Sequence, residues 1–313
     1  MKDIIIHLLI CPACLPEEEN LSVKIDERAG DDILTGLLSC PRCNARYPII
    51  DGIAFLLPVV ESKENMNAKR YESQPLLSSY IWSHFSELMN DEDANTAYKE
   101  WSETISAHSG LALDAGCAVG RFTYEMSEKF DFAIGIDNSR AFISAARNLM
   151  KTREIEVAFK EEGLLIKHKS MKLPDNWKSS RVEFIVGDIQ YLPFMKNTFS
   201  CSSSLNLVDR VPMPLMHLME MNRVSREKDA QFLLSDPFSW STDIAKKENW
   251  LGGTSEGLFP GKAMENIRAL LTGKGGSIEP AWHIEEFGNI WWKIRNHQNH
   301  FELIRSCFIK AVR

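Results

Sequence analysis

The sequence has no long hydrophobic run and no excess of basic charge. Its longest apolar stretches, residues 4–10 and 53–60, are far shorter than the roughly 20 residues that a membrane-spanning helix needs. The first of them runs into Cys11-Pro12 and not into a small-residue cleavage site, so no signal peptide is expected. Residues 1–60 hold nine acidic and five basic side chains, and the net charge is −7, which does not suit a phosphate-binding surface. We therefore expect a cytoplasmic protein without a membrane anchor.

The length of 313 residues exceeds one average domain, and a hydrophobic fraction of 44% is ordinary for globular proteins. Residues 61–70 are almost entirely polar, as in a linker. Apolar residues then recur at three- and four-residue steps, which predicts helices. We expect a small domain at residues 1–60, a linker and helical lead-in at 61–108, and the main domain at 109–313.

Four of the seven cysteines form two Cys-Pro-x-Cys pairs, with 25 residues between the inner cysteines. Each pair can place two thiolates on one side of a tight turn, and two such turns complete a closed tetrahedral sulfur site. A closed site predicts a structural Zn²⁺ ion. The predicted ligands are Cys11, Cys14, Cys40 and Cys43. The alternatives are four free thiols or a redox pair.

Strand and helix patterns alternate from residue 110 onward. The predicted strands are 111–114, 132–136, 182–186, 199–205 and 231–234, and the predicted helices are 121–129, 139–150, 214–224 and 263–271. Strands separated by helices indicate an α/β fold with a parallel sheet. Two final strand-like segments, near 278–292 and 300–312, are expected to form a hairpin at the sheet edge.

A glycine-containing loop lies at the junction of the first predicted strand and helix of this domain, in the sequence Leu113-Asp-Ala-Gly-Cys-Ala-Val-Gly120. Glycines allow the backbone to turn sharply and to approach a ligand, and the next helix presents free N–H groups. A pyrophosphate-binding loop would have Gly-x-Gly-x-x-Gly here. Asp114 precedes the first glycine instead, and a carboxylate suits the ammonium group of a methionine moiety better than a pyrophosphate.

Polar residues follow three further strands of the predicted sheet. Asp137 ends the second strand, where a carboxylate can accept hydrogen bonds from both ribose hydroxyls. Asp188 ends the third strand, where it can receive an adenine amino group while Ile189 covers the ring. Asn206 ends the fourth strand, at the same edge of the predicted sheet.

These motifs resemble, in order and spacing, those of class I S-adenosylmethionine-dependent methyltransferases. The resemblance implies a Rossmann-like, seven-stranded, mostly parallel sheet with an antiparallel last strand, and S-adenosylmethionine as cofactor. The alternative is another doubly wound fold. The cofactor-binding residues implied are Asp114, Gly116, Cys117, Gly120, Arg121, Asp137, Asn138, Asp188, Ile189 and Asn206.

The segment 40–58 is similar to the small zinc-ribbon proteins that activate tRNA and protein methyltransferases. Here such a module would be fused to its catalytic partner. In that family the ribbon often stabilises the enzyme or helps to recognise its substrate, and the resemblance implies one of these roles for residues 1–60.

Residues 71–313 resemble the methyltransferase half of ovothiol synthases, which methylates an imidazole nitrogen of mercaptohistidine. The most informative match is Asn249-Trp-Leu-Gly-Gly253, because it lies outside the cofactor motifs. The resemblance implies a mercaptohistidine-like small molecule, or a histidine in a peptide or protein, as the methyl acceptor. The implied catalytic residues are Asn206, Tyr71 and Arg295, and the implied acceptor-binding residues are Tyr80, Trp240, Asn249, Trp250 and Arg295. Arg295 would bind a substrate carboxylate.

Two alternatives remain open at this point. Some rRNA guanine methyltransferases also join a four-ligand zinc module to this fold, and residues 160–181 hold six basic and three acidic side chains, so an RNA base is a second acceptor class. The acidic zinc module and the overall charge disfavour nucleic acid. The third hypothesis is a non-catalytic cofactor-binding partner that uses the ribbon to dock another enzyme.

Overall fold

A computed structural model of the protein describes residues 1–58, 71–274, 276 and 278–313. The predicted linker at 61–70 and the last two residues of the apolar stretch 53–60 lie outside the described residues. No helix in the described part of the chain is both long and apolar enough to cross a membrane.

The described elements follow the predicted alternation of strands and helices. The helices are α1 (Gln74–Phe85), α2 (Ala97–Glu103), α3 (Arg121–Lys129), α4 (Arg140–Thr152), α5 (Pro214–Val224) and α6 (Ala263–Leu271). The strands are β1 (Ser22–Ala29), β2 (Asp32–Ser39), β3 (Arg46–Ile50), β4 (Ile53–Leu56), β5 (Leu111–Ala115), β6 (Phe132–Asp137), β7 (Glu154–Glu162), β8 (Leu165–Lys172), β9 (Val182–Gly187), β10 (Cys201–Leu205), β11 (Gln231–Asp236), β12 (His283–His297) and β13 (His300–Val312).

Seven strands form the sheet of the main domain in the order β9-β6-β5-β10-β11-β13-β12. The first five are mutually parallel and almost wholly buried, as expected when helices cover both faces. Strand β13 is antiparallel to β11, and β12 pairs with β13 as a hairpin at the edge. This confirms the predicted Rossmann-like fold, including the antiparallel last strand.

Strands β1 to β4 continue this sheet, so that it has eleven strands among the described residues. Strand β4 lies parallel to β9, with Phe55 opposite Val186 and Leu56 opposite Gly187. A second contact joins the Ile10 N–H to the carbonyl oxygen of Pro193 at 3.0 Å. Backbone contacts therefore join the N-terminal segment to the main domain at Gly187 and at Pro193, which precede and follow Asp188 in the sequence.

The edge hairpin extends past the carboxyl ends of the parallel strands. Strand β11 ends at Asp236, which lies opposite Cys307, and Cys307 lies opposite Asn289. Residues 290–306 thus project beyond the sheet, where the Ser83 hydroxyl of α1 donates to the carbonyl oxygen of Lys293 at 2.6 Å. Helix α1 and this hairpin together enclose one side of the strand ends. Residues 151–180 lie between a predicted helix and a predicted strand and had no predicted element of their own, and they contain the antiparallel β7–β8 pair.

Candidate cofactor and acceptor site

The loop between β5 and α3 has a backbone that suits glycine at two positions. Gly116 has φ of +73° and Gly120 has φ of +86°, a region that other residues rarely adopt. A Cβ atom on Gly116 would lie 2.5 Å from the Leu207 side chain, and one on Gly120 would lie 2.6 Å from Phe184. The loop is therefore packed tightly against its neighbours, as the predicted cofactor cradle requires.

Asp114 lies beneath this loop and is only 3% exposed. Its Oδ2 accepts a hydrogen bond from the Thr123 hydroxyl at 2.8 Å, and its Oδ1 accepts one from the Ser203 hydroxyl at 3.1 Å. Burial raises the pKa of Asp114 to about 6. These contacts join β5 to α3 and to β10, and direct binding of a ligand ammonium group by Asp114 stays a prediction.

Asp137 and Asp188 both lie at carboxyl ends of strands, as predicted. The Asp137 carboxylate accepts hydrogen bonds from the backbone N–H groups of Ala118 at 3.0 Å and Ser139 at 2.9 Å. Burial raises the pKa of Asp137 to about 6. Asp188 accepts from the Gln190 N–H at 2.9 Å, and the neighbouring Ile189 is 7% exposed. Both carboxylates are partly exposed at the edge where a nucleoside would lie.

Asn206 follows β10 with a positive φ of 55°. Its Oδ1 accepts a hydrogen bond from the Ser306 hydroxyl at 2.6 Å, which fixes the orientation of the amide. Its Nδ2 is buried and has no hydrogen-bond partner among the described residues. Because a buried donor without an acceptor is costly, this amide fits a bound ligand that supplies an acceptor.

The predicted cofactor contacts of the Arg121 and Cys117 side chains need correction, whereas Asn138 is exposed. Arg121 is 1% exposed, and its three guanidinium nitrogens donate to Glu125, Glu87 and the His84 carbonyl oxygen. It is therefore engaged within the protein and not free for the cofactor. The Cys117 thiol is also buried and faces the sheet, since a Cβ on Gly135 would lie 2.8 Å from its Sγ, so only its backbone is available to a ligand. Asn138 is exposed next to Asp137.

Tyr71 and Tyr80 form an aromatic wall beside Asp137. Their ring centroids are 6.3 Å apart, and the Tyr80 ring is 4.8 Å from Phe142 and 6.3 Å from Trp292. The Ser139 hydroxyl, two residues from Asp137, donates to the Tyr71 carbonyl oxygen at 3.3 Å. The structure thus brings these two predicted acceptor residues to the cofactor edge.

The predicted acceptor loop contains a stacked pair, Trp240 and Trp250, with ring centroids 6.1 Å apart. The Trp250 indole N–H donates to the Ala245 carbonyl oxygen at 3.0 Å, and the Asn249 amide donates to the Pro212 carbonyl oxygen at 3.1 Å. Both groups hold the loop. The Trp240 indole nitrogen, in contrast, is buried without a partner among the described residues.

Arg295 lies in a different pocket. Its guanidinium is 5.5 Å from the centroid of the Phe159 ring on β7, and the same pocket includes Asp91 and Lys169. None of the predicted cofactor residues lines this pocket. The prediction that Arg295 joins Asn206 at the methyl-transfer site is therefore corrected, because the projecting hairpin places its side chain against the β7–β8 insertion.

Sequence reasoning missed Asp209, Arg210 and Asp236. The two acids are at most 1% exposed, and burial raises the pKa of each. Asp209 accepts from the Ser239 N–H at 2.6 Å, and Asp236 accepts from the Phe238 N–H at 2.7 Å. Asp236 ends β11 just as Asp137 ends β6, so the rule of an acid at a strand end could have identified it.

The four predicted zinc ligands form one cluster, with all Sγ atoms within 4.8 Å of one another. The Cys11–Cys43 and Cys14–Cys40 sulfur distances are 3.6 and 3.7 Å. Four sulfurs placed tetrahedrally about 2.3 Å from Zn²⁺ would be about 3.8 Å apart, so the cluster fits the ion.

Comparisons with known proteins agree with both parts of the structure. Residues 113–229 match the family model described as "Methyltransferase domain", and residues 2–52 match "Trm112p-like protein". A search of curated proteins found no match. The first match includes the glycine loop and the acids at the strand ends, so the catalytic part of the chain is a methyltransferase domain that uses S-adenosylmethionine.

Solved structures with a similar fold have low sequence identity to this chain. One is YcgJ from Bacillus subtilis, with 12% identity and a TM-score of 0.45, covering 69% of this chain and 97% of that one. Another is a putative methyltransferase from Bacillus halodurans, with 13% identity and a TM-score of 0.45, covering 69% and 98%. A third is the complex of the Haloferax volcanii Trm112 methyltransferase activator with a putative methyltransferase, with 13% identity and a TM-score of 0.44, covering 75% and 96%.

Proposed function

We propose that this S-adenosylmethionine-dependent methyltransferase methylates an imidazole nitrogen of a small molecule or peptide. The observation that carries the proposal is the aromatic wall of Tyr71 and Tyr80 beside the cofactor edge, where the Tyr80 ring also contacts Trp292 of the projecting hairpin. An aromatic wall suits a planar heterocycle. We also propose that the protein is cytoplasmic and that its domain boundaries lie after residues 60 and 108.

Positioning supplies much of the catalysis in this proposal. When bound, S-adenosylmethionine supplies a sulfonium methyl group for in-line displacement by a nitrogen lone pair, which requires the reacting atoms to be about 3–3.5 Å apart. A free imidazole has a pKa near 6.5, so most of it is neutral and nucleophilic at pH 7. The residues proposed to orient it are Tyr71, Tyr80 and Asn206, with the buried Trp240 indole nitrogen as a further donor.

Methylation of an RNA base is the second candidate function. It is favoured by the match of residues 2–52 to the Trm112p-like family and by the cationic side chains of β8. The net charge of −7 and the aromatic wall favour the imidazole acceptor instead.

The test is transfer of labelled methyl groups from S-adenosylmethionine to two acceptor pools, imidazole compounds and peptides in one and unmodified RNA in the other. We expect label in the imidazole pool, with Asn206→Ala reducing transfer at least about tenfold through loss of a positioning contact. Label in the RNA pool alone would overturn the proposal. Label in neither pool, with the cofactor still bound, would favour the non-catalytic hypothesis.

A further inference from the structure

We infer that Trp292 binds the methyl acceptor and that, together with Asn206, it selects an acceptor with a carbonyl oxygen beside the reactive ring. This inference rests on the proposed function and adds a residue and a chemical requirement to it. Trp292 lies on β12, outside the cofactor motifs and outside the loop that carries Trp240 and Trp250. Its place on the projecting hairpin and its unpaired indole N–H group support the inference.

Trp292 lies on the inner face of the projecting hairpin, residues 290–306. Its side chain is 5% exposed, whereas that of the adjacent Trp291 is 54% exposed, because neighbouring residues of a strand point to opposite faces. The inner face also carries Ile290, which pairs with Ser306 on β13. Trp292 pairs with Ile304, two residues from Ser306, so the side chains of Trp292 and Ser306 are diagonal neighbours on one face.

This inner face connects Asn206 with the aromatic wall. The Ser306 hydroxyl donates to Asn206 Oδ1 at 2.6 Å. On the other side, the Trp292 ring packs edge-on against Tyr80, with ring centroids 6.3 Å apart. Trp292 therefore contacts one residue proposed to orient the acceptor and neighbours the residue that orients the other.

Two buried N–H donors in this region have no partner. The Nε1 atom of Trp292 and the Nδ2 atom of Asn206 are buried, and neither makes a hydrogen bond with any residue that the structure describes. The buried indole of Trp282, in contrast, donates to Asn222 Oδ1 at 2.9 Å. An unpaired buried donor costs free energy in the unliganded protein, and a ligand that supplies an acceptor removes that cost.

The chemistry of the two groups defines what they bind. An indole N–H and an amide NH₂ only donate, so the ligand atom that they hold is a hydrogen-bond acceptor. It is not the nitrogen that is methylated, because the lone pair of that nitrogen attacks the methyl group. The other nitrogen of a neutral imidazole carries a hydrogen and is itself a donor. The accepting atom therefore belongs to a substituent of the ring, and two uncharged donors suit a neutral carbonyl oxygen.

The experiment compares 4-acetylimidazole with 4-ethylimidazole, which have the same ring and the same carbon skeleton and differ by the carbonyl oxygen. Affinity for each probe is measured by calorimetry with S-adenosylhomocysteine bound, at about pH 9, where both rings are uncharged. Methyl transfer to each probe is measured with labelled S-adenosylmethionine. In the wild type we expect the acetyl probe to bind about 10- to 100-fold more tightly.

Three variants isolate the Trp292 N–H group. Trp292→Phe removes it and keeps an aromatic ring. Trp282→Phe is the matched control for a buried indole whose N–H is already paired, and Trp291→Phe is the control on the outer face. Each variant is checked for its circular dichroism spectrum and its affinity for the cofactor.

Trp292→Phe should remove most of the preference by weakening the acetyl probe about tenfold and leaving the ethyl probe unchanged. Trp282→Phe and Trp291→Phe should keep the preference. If the wild type binds the two probes equally, or if Trp292→Phe keeps the preference, the inference is overturned, and methylation of either probe leaves the proposed function in place. Methyl transfer to no imidazole compound would remove the proposed function and this inference with it.

Urea denaturation distinguishes a binding role of Trp292 from a packing role. Trp292→Phe and Trp282→Phe remove the same atoms from buried positions, but only Trp282→Phe breaks a hydrogen bond that the unliganded protein makes. Trp292→Phe should therefore lower the urea midpoint less than Trp282→Phe does. A larger drop for Trp292→Phe would show that the Trp292 indole stabilises the unliganded fold, and would overturn the inference.

Discussion

The Arg147 guanidinium donates to both carboxylate oxygens of Asp32, at 2.8 and 2.9 Å. Arg147 belongs to α4 of the methyltransferase domain, and Asp32 begins β2 of the N-terminal module. The same guanidinium also donates to Glu183 of β9, whose side chain is fully buried. A desolvated ion network therefore joins the module to the strand that precedes Asp188, next to the β4–β9 pairing.

We expect Arg147→Gln to lower the free energy of unfolding by about 3–5 kcal/mol, because it leaves Glu183 buried without its cationic partner. Urea denaturation followed by circular dichroism measures this change. The matched control is Lys24→Gln, which removes an ion pair with Asp26 whose lysine side chain is 78% exposed, and should cost under about 1 kcal/mol. If both variants lose a similar free energy of unfolding, the network at Arg147 contributes no more to stability than an exposed ion pair.

Cofactor affinity should fall as the pH falls through about 6. The pKa of Asp137 is raised from its ordinary 3.8 to about 6, so the proton returns to this carboxyl near that pH, and a protonated oxygen no longer accepts from a ribose hydroxyl. Since the folded pKa is raised, ionised Asp137 lowers stability, and this cost grows between pH 3.8 and 6. Asp137→Asn should bind S-adenosylmethionine weakly with a flatter pH profile in calorimetry.

Asp114 also has a pKa near 6, so Asp114→Asn is the necessary comparison. If Asp114→Asn rather than Asp137→Asn flattens the profile, the ribose assignment is wrong and the buried acid beneath the loop controls binding.

Purified protein should contain about one Zn²⁺ ion per chain by metal analysis. Cys40→Ser should lose the ion and destabilise the fold by several kcal/mol, because zinc binding contributes directly to folding of a small module. Cys307→Ser, outside the cluster, is the control and should retain the metal. Full zinc content in Cys40→Ser would contradict the four-sulfur site.

Gly116→Ala should weaken cofactor binding at least about tenfold and lower the melting temperature, because the added Cβ would lie 2.5 Å from Leu207 at a positive φ. Gly163→Ala provides the control for backbone strain alone. Gly163 has φ of +55° with nothing within 4 Å of the added carbon. Equal effects of the two substitutions on stability would show that the contact with Leu207 is easily relieved.

The sequence alone determined the parts of this protein that depend on local patterns. Alternating apolar segments specified the strands and helices, and the Ser139 side chain caps α4 by accepting from the Phe142 N–H at 3.2 Å. The two Cys-Pro-x-Cys turns specified the metal ligands, and acids at strand ends placed Asp137 and Asp188 at one edge. These features could be predicted because parallel strands bring their carboxyl ends together wherever the chain runs between them.

Only the tertiary structure decided that two of the predicted charged side chains lie away from the predicted methyl-transfer site. The resemblance to methyltransferases implies Arg121 and Arg295 as site residues, yet one is buried in an ion pair with Glu125 and the other lies against Phe159. The parallel pairing of β4 with β9 has the same origin. These side-chain positions and this strand pairing depend on contacts between residues far apart in sequence. Packing and desolvation in the whole fold select the partners, so no local sequence pattern predicts them.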